Sequence, residues 1–161
     1  GRGEYVTETH DRQRACALAR ATSSLPYVSK ITMIDGQPML DGGIVDSIPI
    51  GRAQATGHKH NIVITTRNYG YRESGRDRKQ PMFIYRHYPR LRVALSHRIE
   101  AYNEQLQMVE DLERKRKITV IRPQRPMEVH RMEKDIAKLE RLYEEGFKLG
   151  EEFYQANEIA E

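Results

Sequence analysis

The 161-residue sequence contains a single cysteine, Cys16, and no long apolar run. One cysteine excludes an internal disulfide framework and is compatible with a reducing compartment. No segment approaches the roughly 18 consecutive apolar residues that indicate a membrane-spanning helix. Internal repeats and low-complexity tracts are also absent. These absences exclude disulfide-rich, repeat and membrane-spanning classes, and we expect a cytoplasmic protein.

The residues that are present are typical of a globular chain. Hydrophobic residues make up 38% of the sequence and charged residues 31%, a balance found in folded rather than disordered proteins. The length fits one domain or a sizeable piece of a larger one. The mean hydropathy of -0.77 is low for a self-contained core of this size. We therefore expect additional polypeptide to complete the core.

Charge is distributed unevenly along the chain, which has a net charge of +4. From Glu133 onward nine acidic residues outnumber four basic ones, whereas between Arg67 and Arg98 the only acidic residues are Glu73 and Asp77. The nine basic residues of that middle segment are Arg67, Arg72, Arg76, Arg78, Lys79, Arg86, Arg90, Arg92 and Arg98. Clustered positive charge predicts contact with phosphate, in nucleic acid or in lipid head groups. The alternative is a solvated loop and helix face.

An Asp-Gly pair at residues 35–36 separates two β-prone runs, residues 31–34 and 37–40. This pattern predicts a hairpin, because Asp and Gly tolerate the positive φ angles of a two-residue turn. Pro38 cannot donate a hydrogen bond to a neighbouring strand, so the returning strand should lie at a sheet edge or carry a bulge there. The hairpin would place Asp41 at the end of a strand.

Capping residues and helical periodicity predict several helices around this hairpin. They are residues 12–21 behind the capping residue Asp11, a two-turn helix that starts near Pro49 and ends at Gly57, residues 96–114, and the tail from Glu133. Residues 61–66 are apolar and β-branched, which predicts a strand buried on both faces. Residues 118–121 predict another short strand. The order of elements predicts an α/β fold with a mixed or mainly parallel sheet flanked by helices.

Asp41 is followed directly by Gly42 and Gly43. A carboxylate at the end of a rigid strand is a candidate general base, because its position is fixed. The two glycines let the backbone turn sharply and let another group approach closely. The alternative is a plain turn without chemistry.

The residues around Asp41 extend this pattern. Residues 21–26 are small and end in proline, residues 34–36 contain the hairpin turn, and residues 39–50 join Asp-Gly-Gly to an apolar-Pro-apolar helix start. Over about thirty residues this closely resembles the block of the patatin-like phospholipases that contains their catalytic aspartate. Further segments resemble the C-terminal part of the bacterial branch of that family: Ile64–Arg67, Gly70–Arg72, Tyr88–Pro89, Tyr102–Asn103 and Ile121–Pro123. The resemblance covers most of the chain.

The resemblance implies a fold and a reaction. Residues 1–66 would form the C-terminal half of a patatin-like catalytic domain, and residues 67–161 would complete it and add a helical C-terminal extension. The implied enzyme is a serine esterase or phospholipase that hydrolyses lipid or other carboxylic esters with a Ser–Asp dyad. Asp41 would be the general base, and Gly42 and Gly43 would shape its turn. No metal and no organic cofactor are implied.

The sequence departs from that family in lacking a nucleophile. None of its serines has glycine at both the minus-two and plus-two positions, and no glycine-rich oxyanion loop is present. We expect an N-terminal half with a Gly-x-Ser-x-Gly elbow in a longer protein, and we expect this chain alone to be inactive. The alternative is a degenerate homologue that has lost its serine.

Two further predictions concern the basic middle segment. The first is peripheral contact with anionic membrane surfaces. The second belongs to an alternative function, a non-catalytic module whose arginines and tyrosines bind nucleic acid or an acidic protein. For the enzyme we do not expect nucleic acid as a partner. The acyl chain, the head group and the oligomeric state stay open.

Overall fold

The computed structural model describes residues 2–75, 81–130 and 133–158. Within these residues the helices are α1 Arg12–Thr22, α2 Ile50–Ala55, α3 Pro89–Arg114 and α4 Ile136–Glu158, and the strands are β1 Thr32–Ile34, β2 Gln37–Met39, β3 Ile62–Ile64 and β4 Thr119–Ile121. Strands β1 and β2 pair antiparallel, and β3 and β4 pair parallel. The predicted mixed α/β class is confirmed, with two small sheets among the described residues.

The chain forms two compact units. Unit 1 contains the residues up to Pro49 together with Glu73–Gln105, and unit 2 contains Ile50–Arg72 together with the residues from Leu106 onward. Each unit therefore combines distant parts of the sequence. The division of the chain at residues 66 and 67 stays a prediction.

In unit 1 the hairpin and the first helix have the predicted conformations. Asp35 and Gly36 have φ angles of 49° and 75°, as a turn with two left-handed residues requires. The Oδ1 atom of Asp11 accepts hydrogen bonds from the backbone N–H groups of Gln13 and Arg14, which caps α1. The Arg14 guanidinium donates to Asp35 at 2.7 Å. This ion pair connects α1 to the hairpin turn.

A hydrophobic core cluster of unit 1 lies directly beyond the Asp-Gly-Gly turn. It is formed by the buried side chains of Ile44, Tyr85 and Leu95. The Tyr85 hydroxyl also accepts a hydrogen bond from the backbone N–H of Tyr27 at 3.0 Å, so its buried oxygen is satisfied. Because Ile44 ends the short 3₁₀ helix Gly42–Ile44, packing of this side chain anchors the turn that follows Asp41.

In unit 2 one expectation is wrong. Val63 of β3 is buried, but Ile62 and Ile64 are 57% and 74% exposed, so β3 is not buried on both faces. Successive side chains of a strand point to opposite faces, and in the described residues one face of β3 is covered. Its one strand partner in that part of the chain is β4.

A buried carboxylate stabilises the loop before residue 73 in unit 2. Glu110 of α3 is 7% exposed and accepts hydrogen bonds from Arg72 Nη1 at 3.0 Å and Nη2 at 2.8 Å. The backbone N–H of Gly70 donates to the same carboxylate at 3.0 Å. The bond from Arg72, assisted by that from Gly70, lowers the pKa of Glu110 although burial acts in the opposite direction.

Replacing this carboxylate with an amide, Glu110→Gln, should lower the free energy of unfolding by about 2 kcal/mol at neutral pH. Because the pKa of Glu110 is lowered in the folded protein, its contribution is present above the unfolded pKa and is lost as the pH falls through the folded pKa. The measurement is urea denaturation at neutral and acidic pH. The free energies of unfolding of wild type and variant should converge in acid. Glu104→Gln, at an exposed position of α3, is the control, and a pH-independent difference would contradict this account.

Candidate functional site

Asp41 lies two residues after the end of β2 and directly before the 3₁₀ helix Gly42–Ile44. Its Oδ1 atom accepts a hydrogen bond from the Gly43 N–H at 2.7 Å, and its backbone N–H donates to the Ser24 carbonyl at 2.9 Å. The side chain is half-buried. No described residue donates a hydrogen bond to its Oδ2 atom. The turn thus orients one carboxylate oxygen and leaves the other available to an incoming group.

The two glycines have different close neighbours. A Cβ atom at Gly43 would lie 3.0 Å from Asp41 Oδ1, and one at Gly42 would lie 3.0 Å from the Thr22 hydroxyl. Such distances are shorter than ordinary van der Waals contact. A methyl group at Gly43 would therefore displace the Asp41 carboxylate, whereas one at Gly42 would displace the Thr22 hydroxyl.

The serines beside the turn are hydrogen-bonded to backbone carbonyls. The Ser47 hydroxyl donates to the Gly43 carbonyl at 2.8 Å. The Ser24 hydroxyl donates to the Arg20 carbonyl at 2.8 Å and contacts the Thr32 hydroxyl at 3.0 Å. Within the described ranges, no serine hydroxyl is bonded to the Asp41 carboxylate.

A glutamine that the sequence did not single out holds the segment after the turn. Gln105 Oε1 accepts hydrogen bonds from the backbone N–H groups of Ser47 at 3.0 Å and Ile48 at 3.1 Å. Its Nε2 atom donates to Asp46 Oδ1 at 3.0 Å, and the Tyr5 hydroxyl donates to Asp46 Oδ2. Both carboxylate oxygens of Asp46 therefore accept hydrogen bonds, one from Gln105 and one from Tyr5. No local sequence signal joins Gln105 to this segment, because the partners are 58 residues apart.

An open cavity of about 410 Å³ adjoins the apolar end of the turn. Its walls include Ile44 and Val45, which follow Gly43 directly, and Val93 of α3. Arg90 and His97 are the polar side chains of the lining. The volume lies within the range of small-molecule sites, and such sites combine apolar walls with a few polar groups.

The described part of the basic segment divides into anchored and exposed residues. Arg72 is paired with Glu110, and the Arg67 guanidinium lies 4.6 Å from the centre of the Tyr71 ring. Phe83 is 75% exposed. Three residues of the basic segment that was predicted to contact phosphate, Arg76, Arg78 and Lys79, lie outside the described residues.

The C-terminal part of the chain matches a family model. Residues 88–158 match the family model described as a domain of unknown function, DUF6363. No curated protein matches the chain, and no solved structure matches it. The matched region covers less than half of the chain and does not include the turn at residues 41–43.

Proposed function

We propose that this chain provides the aspartate of a Ser–Asp acyl hydrolase of the patatin-like type, which acts on lipid or other carboxylic esters. The observation that carries the proposal is the geometry of Asp41, with Oδ1 held by the Gly43 N–H and Oδ2 without a donor in the described chain. A general base needs this combination of fixed orientation and access. The serine would come from a half with a Gly-x-Ser-x-Gly elbow.

In the proposed reaction Asp41 takes the serine proton as the serine oxygen attacks the ester carbonyl. Collapse of the tetrahedral intermediate forms the acyl-enzyme, and the protonated Asp41 gives its proton to the departing alcohol. Asp41 then accepts a proton from the water that attacks the acyl-enzyme. As the carboxylic acid leaves, the serine oxygen takes this proton from Asp41, which restores both the serine hydroxyl and the carboxylate. Backbone N–H groups of the nucleophile-bearing half would stabilise the oxyanion.

The small sheet of unit 2 supports the expectation of additional polypeptide. Thr119 donates its N–H to the Asn61 carbonyl, and Thr65 donates its N–H to the Ile121 carbonyl. Backbone N–H and C=O groups alternate in direction along a strand. Between Asn61 and Thr65, the groups that do not face β4 therefore point to the opposite edge of β3. Parallel sheets are normally covered on both faces and have more strands. Further strands and a covering layer would complete this sheet.

The cavity beside the turn supports an ester with an apolar acyl group. Ile44 and Val45 line the cavity and are separated from Asp41 by only Gly42 and Gly43, so a ligand in the cavity would contact the segment that directly follows the turn. Apolar walls favour a hydrocarbon chain. The guanidinium of Arg90 would favour an anionic substituent near the opening.

The experiment that tests the reaction class uses a protein in which this chain follows the nucleophile-bearing half. We expect it to hydrolyse p-nitrophenyl esters and to be labelled at the elbow serine by a fluorophosphonate probe. This chain alone should show neither activity nor labelling. Hydrolysis that persists after replacement of the elbow serine with alanine would contradict the proposal.

The second candidate function is a non-catalytic module that binds polyanions through the basic middle segment. The observation that favours it is the exposure of Phe83 and Tyr88 beside Arg86 and Arg92. This candidate requires binding of an oligonucleotide or an acidic protein that weakens steeply with salt. Peripheral membrane contact requires binding to anionic vesicles, and it is contradicted if reversing the charges of Arg86 and Arg92 leaves vesicle binding unchanged.

A further inference from the structure

Helix α4 has an exposed apolar strip. The strip is defined here as Ile136, Tyr143, Phe147 and Tyr154, which are spaced to share one side of the helix and are 56% to 71% exposed. The rings of Tyr143 and Phe147 stack with centres 6.2 Å apart. Leu139 is also exposed, at 42%, whereas Leu142, Leu149 and Phe153 are partly buried. Contiguous exposed apolar side chains of this kind mark interaction surfaces.

The border of the strip is acidic. Glu140, Glu144 and Glu151 are exposed, and their helical spacing places them along one side of the strip. In the described chain none of the three forms an ion pair, whereas Glu152 on the far side of α4 faces Lys148. No described helix is long and apolar enough to cross a membrane. Carboxylates repel anionic lipid head groups, so the strip fits a polypeptide partner that combines apolar and cationic side chains.

Unit 1 carries a surface with this composition. The basic apolar surface is defined here as Phe83, Ile84, Arg86, Tyr88 and Arg92, all of which are exposed. Residues 81–99 contain no acidic side chain. The backbone N–H of Arg92 donates to the Tyr88 carbonyl at 3.1 Å, so these two residues lie one helical turn apart on the same side. Tyr85, 5% exposed, anchors the segment in the core.

We propose that two copies of this chain associate. The apolar strip of α4 and its acidic border in one copy would contact the basic apolar surface of the other. Apolar and charged components are complementary on the two surfaces, which favours a second copy as the partner. A two-fold axis would form the contact twice and leave neither surface free. Tyrosine, phenylalanine and arginine are the residues that protein interfaces favour.

Charge reversal tests the pairing directly. Glu140→Lys with Glu151→Lys makes both surfaces basic. Arg86→Glu with Arg92→Glu makes both surfaces acidic. We expect the wild-type chain to dimerise in sedimentation velocity, with an affinity that falls as salt rises. Each reversed variant alone should dimerise at least about 10-fold more weakly. An equimolar mixture of the two variants should recover association, because both contacts are complementary again.

A matched control separates the contact from net charge. Glu128→Lys with Glu152→Lys makes the same change in charge at exposed positions away from the strip, and it should leave dimerisation unchanged. Circular dichroism of every variant checks that the helices are retained. A monomeric wild-type chain would overturn the proposal. So would a mixture that fails to associate, or binding of the basic apolar surface to anionic vesicles or an oligonucleotide in preference to a second copy.

Discussion

Asp41→Asn is expected to lower kcat for ester hydrolysis at least about 10³-fold in the protein that also carries the nucleophile. The amide oxygen of asparagine can still accept the Gly43 N–H, so the turn should keep its conformation. The amide cannot take a proton from serine, however, and the serine oxygen would remain a poor nucleophile. The measurement is steady-state kinetics on a p-nitrophenyl ester, with kcat and KM determined separately.

The control for this substitution is Asp35→Asn, which removes the same charge from the hairpin turn. Asn tolerates the positive φ at this position, and Asp35 is exposed where it meets Arg14, so activity should be unchanged. An ion pair at such an exposed site contributes little to stability. Full activity of Asp41→Asn, or an equal loss in both variants, would contradict the role of Asp41 as the base.

Gly43→Ala is expected to lower kcat about 10- to 100-fold, with a small effect on KM. The added Cβ atom would lie 3.0 Å from Asp41 Oδ1, and the carboxylate would have to rotate away from the Gly43 N–H that orients it. A misplacement of about 1 Å can lower the rate about 100-fold, and a smaller shift of the carboxylate should give the lower end of the expected range. The same kinetic assay measures it, and a thermal melt checks that the fold is retained.

Gly42→Ala is the matched control for the second prediction. It adds the same methyl group one residue earlier, where the close neighbour is the Thr22 hydroxyl rather than the Asp41 carboxylate. Its effect should therefore appear in thermal stability more than in kcat. If the two variants lose the same amount of activity, the carboxylate is not positioned by the space at Gly43.

The local elements were predictable because their signals involve neighbouring residues. The cap of α1 needs only Asp11 and the N–H groups two and three residues later. The hairpin turn needs only Asp35 and Gly36 in conformations that few other residues adopt. For the same reason the position of Asp41 after β2 followed from the sequence. The patatin-like assignment and the role of Asp41 stay predictions.

The exposure of β3 was not predictable in the same way. An apolar, β-branched run indicates that a strand can be buried, but packing partners decide which faces are covered. In the described chain β4 is the neighbour of β3, and Ile62 and Ile64 are exposed. The apolar, β-branched sequence of β3 thus predicts more burial of this strand than the described residues provide.

The sequence by itself determined that a short carboxylate at Asp41 can reach the Gly43 N–H two residues later, because such a bond involves only neighbouring residues. Only the tertiary structure decided how the following segment is held. Gln105 of α3 binds Ser47 and Asp46 across 58 and 59 residues of chain. Such contacts depend on how α3 packs in unit 1, and hydrogen-bonding capacity alone does not specify which of many polar side chains will be the partner.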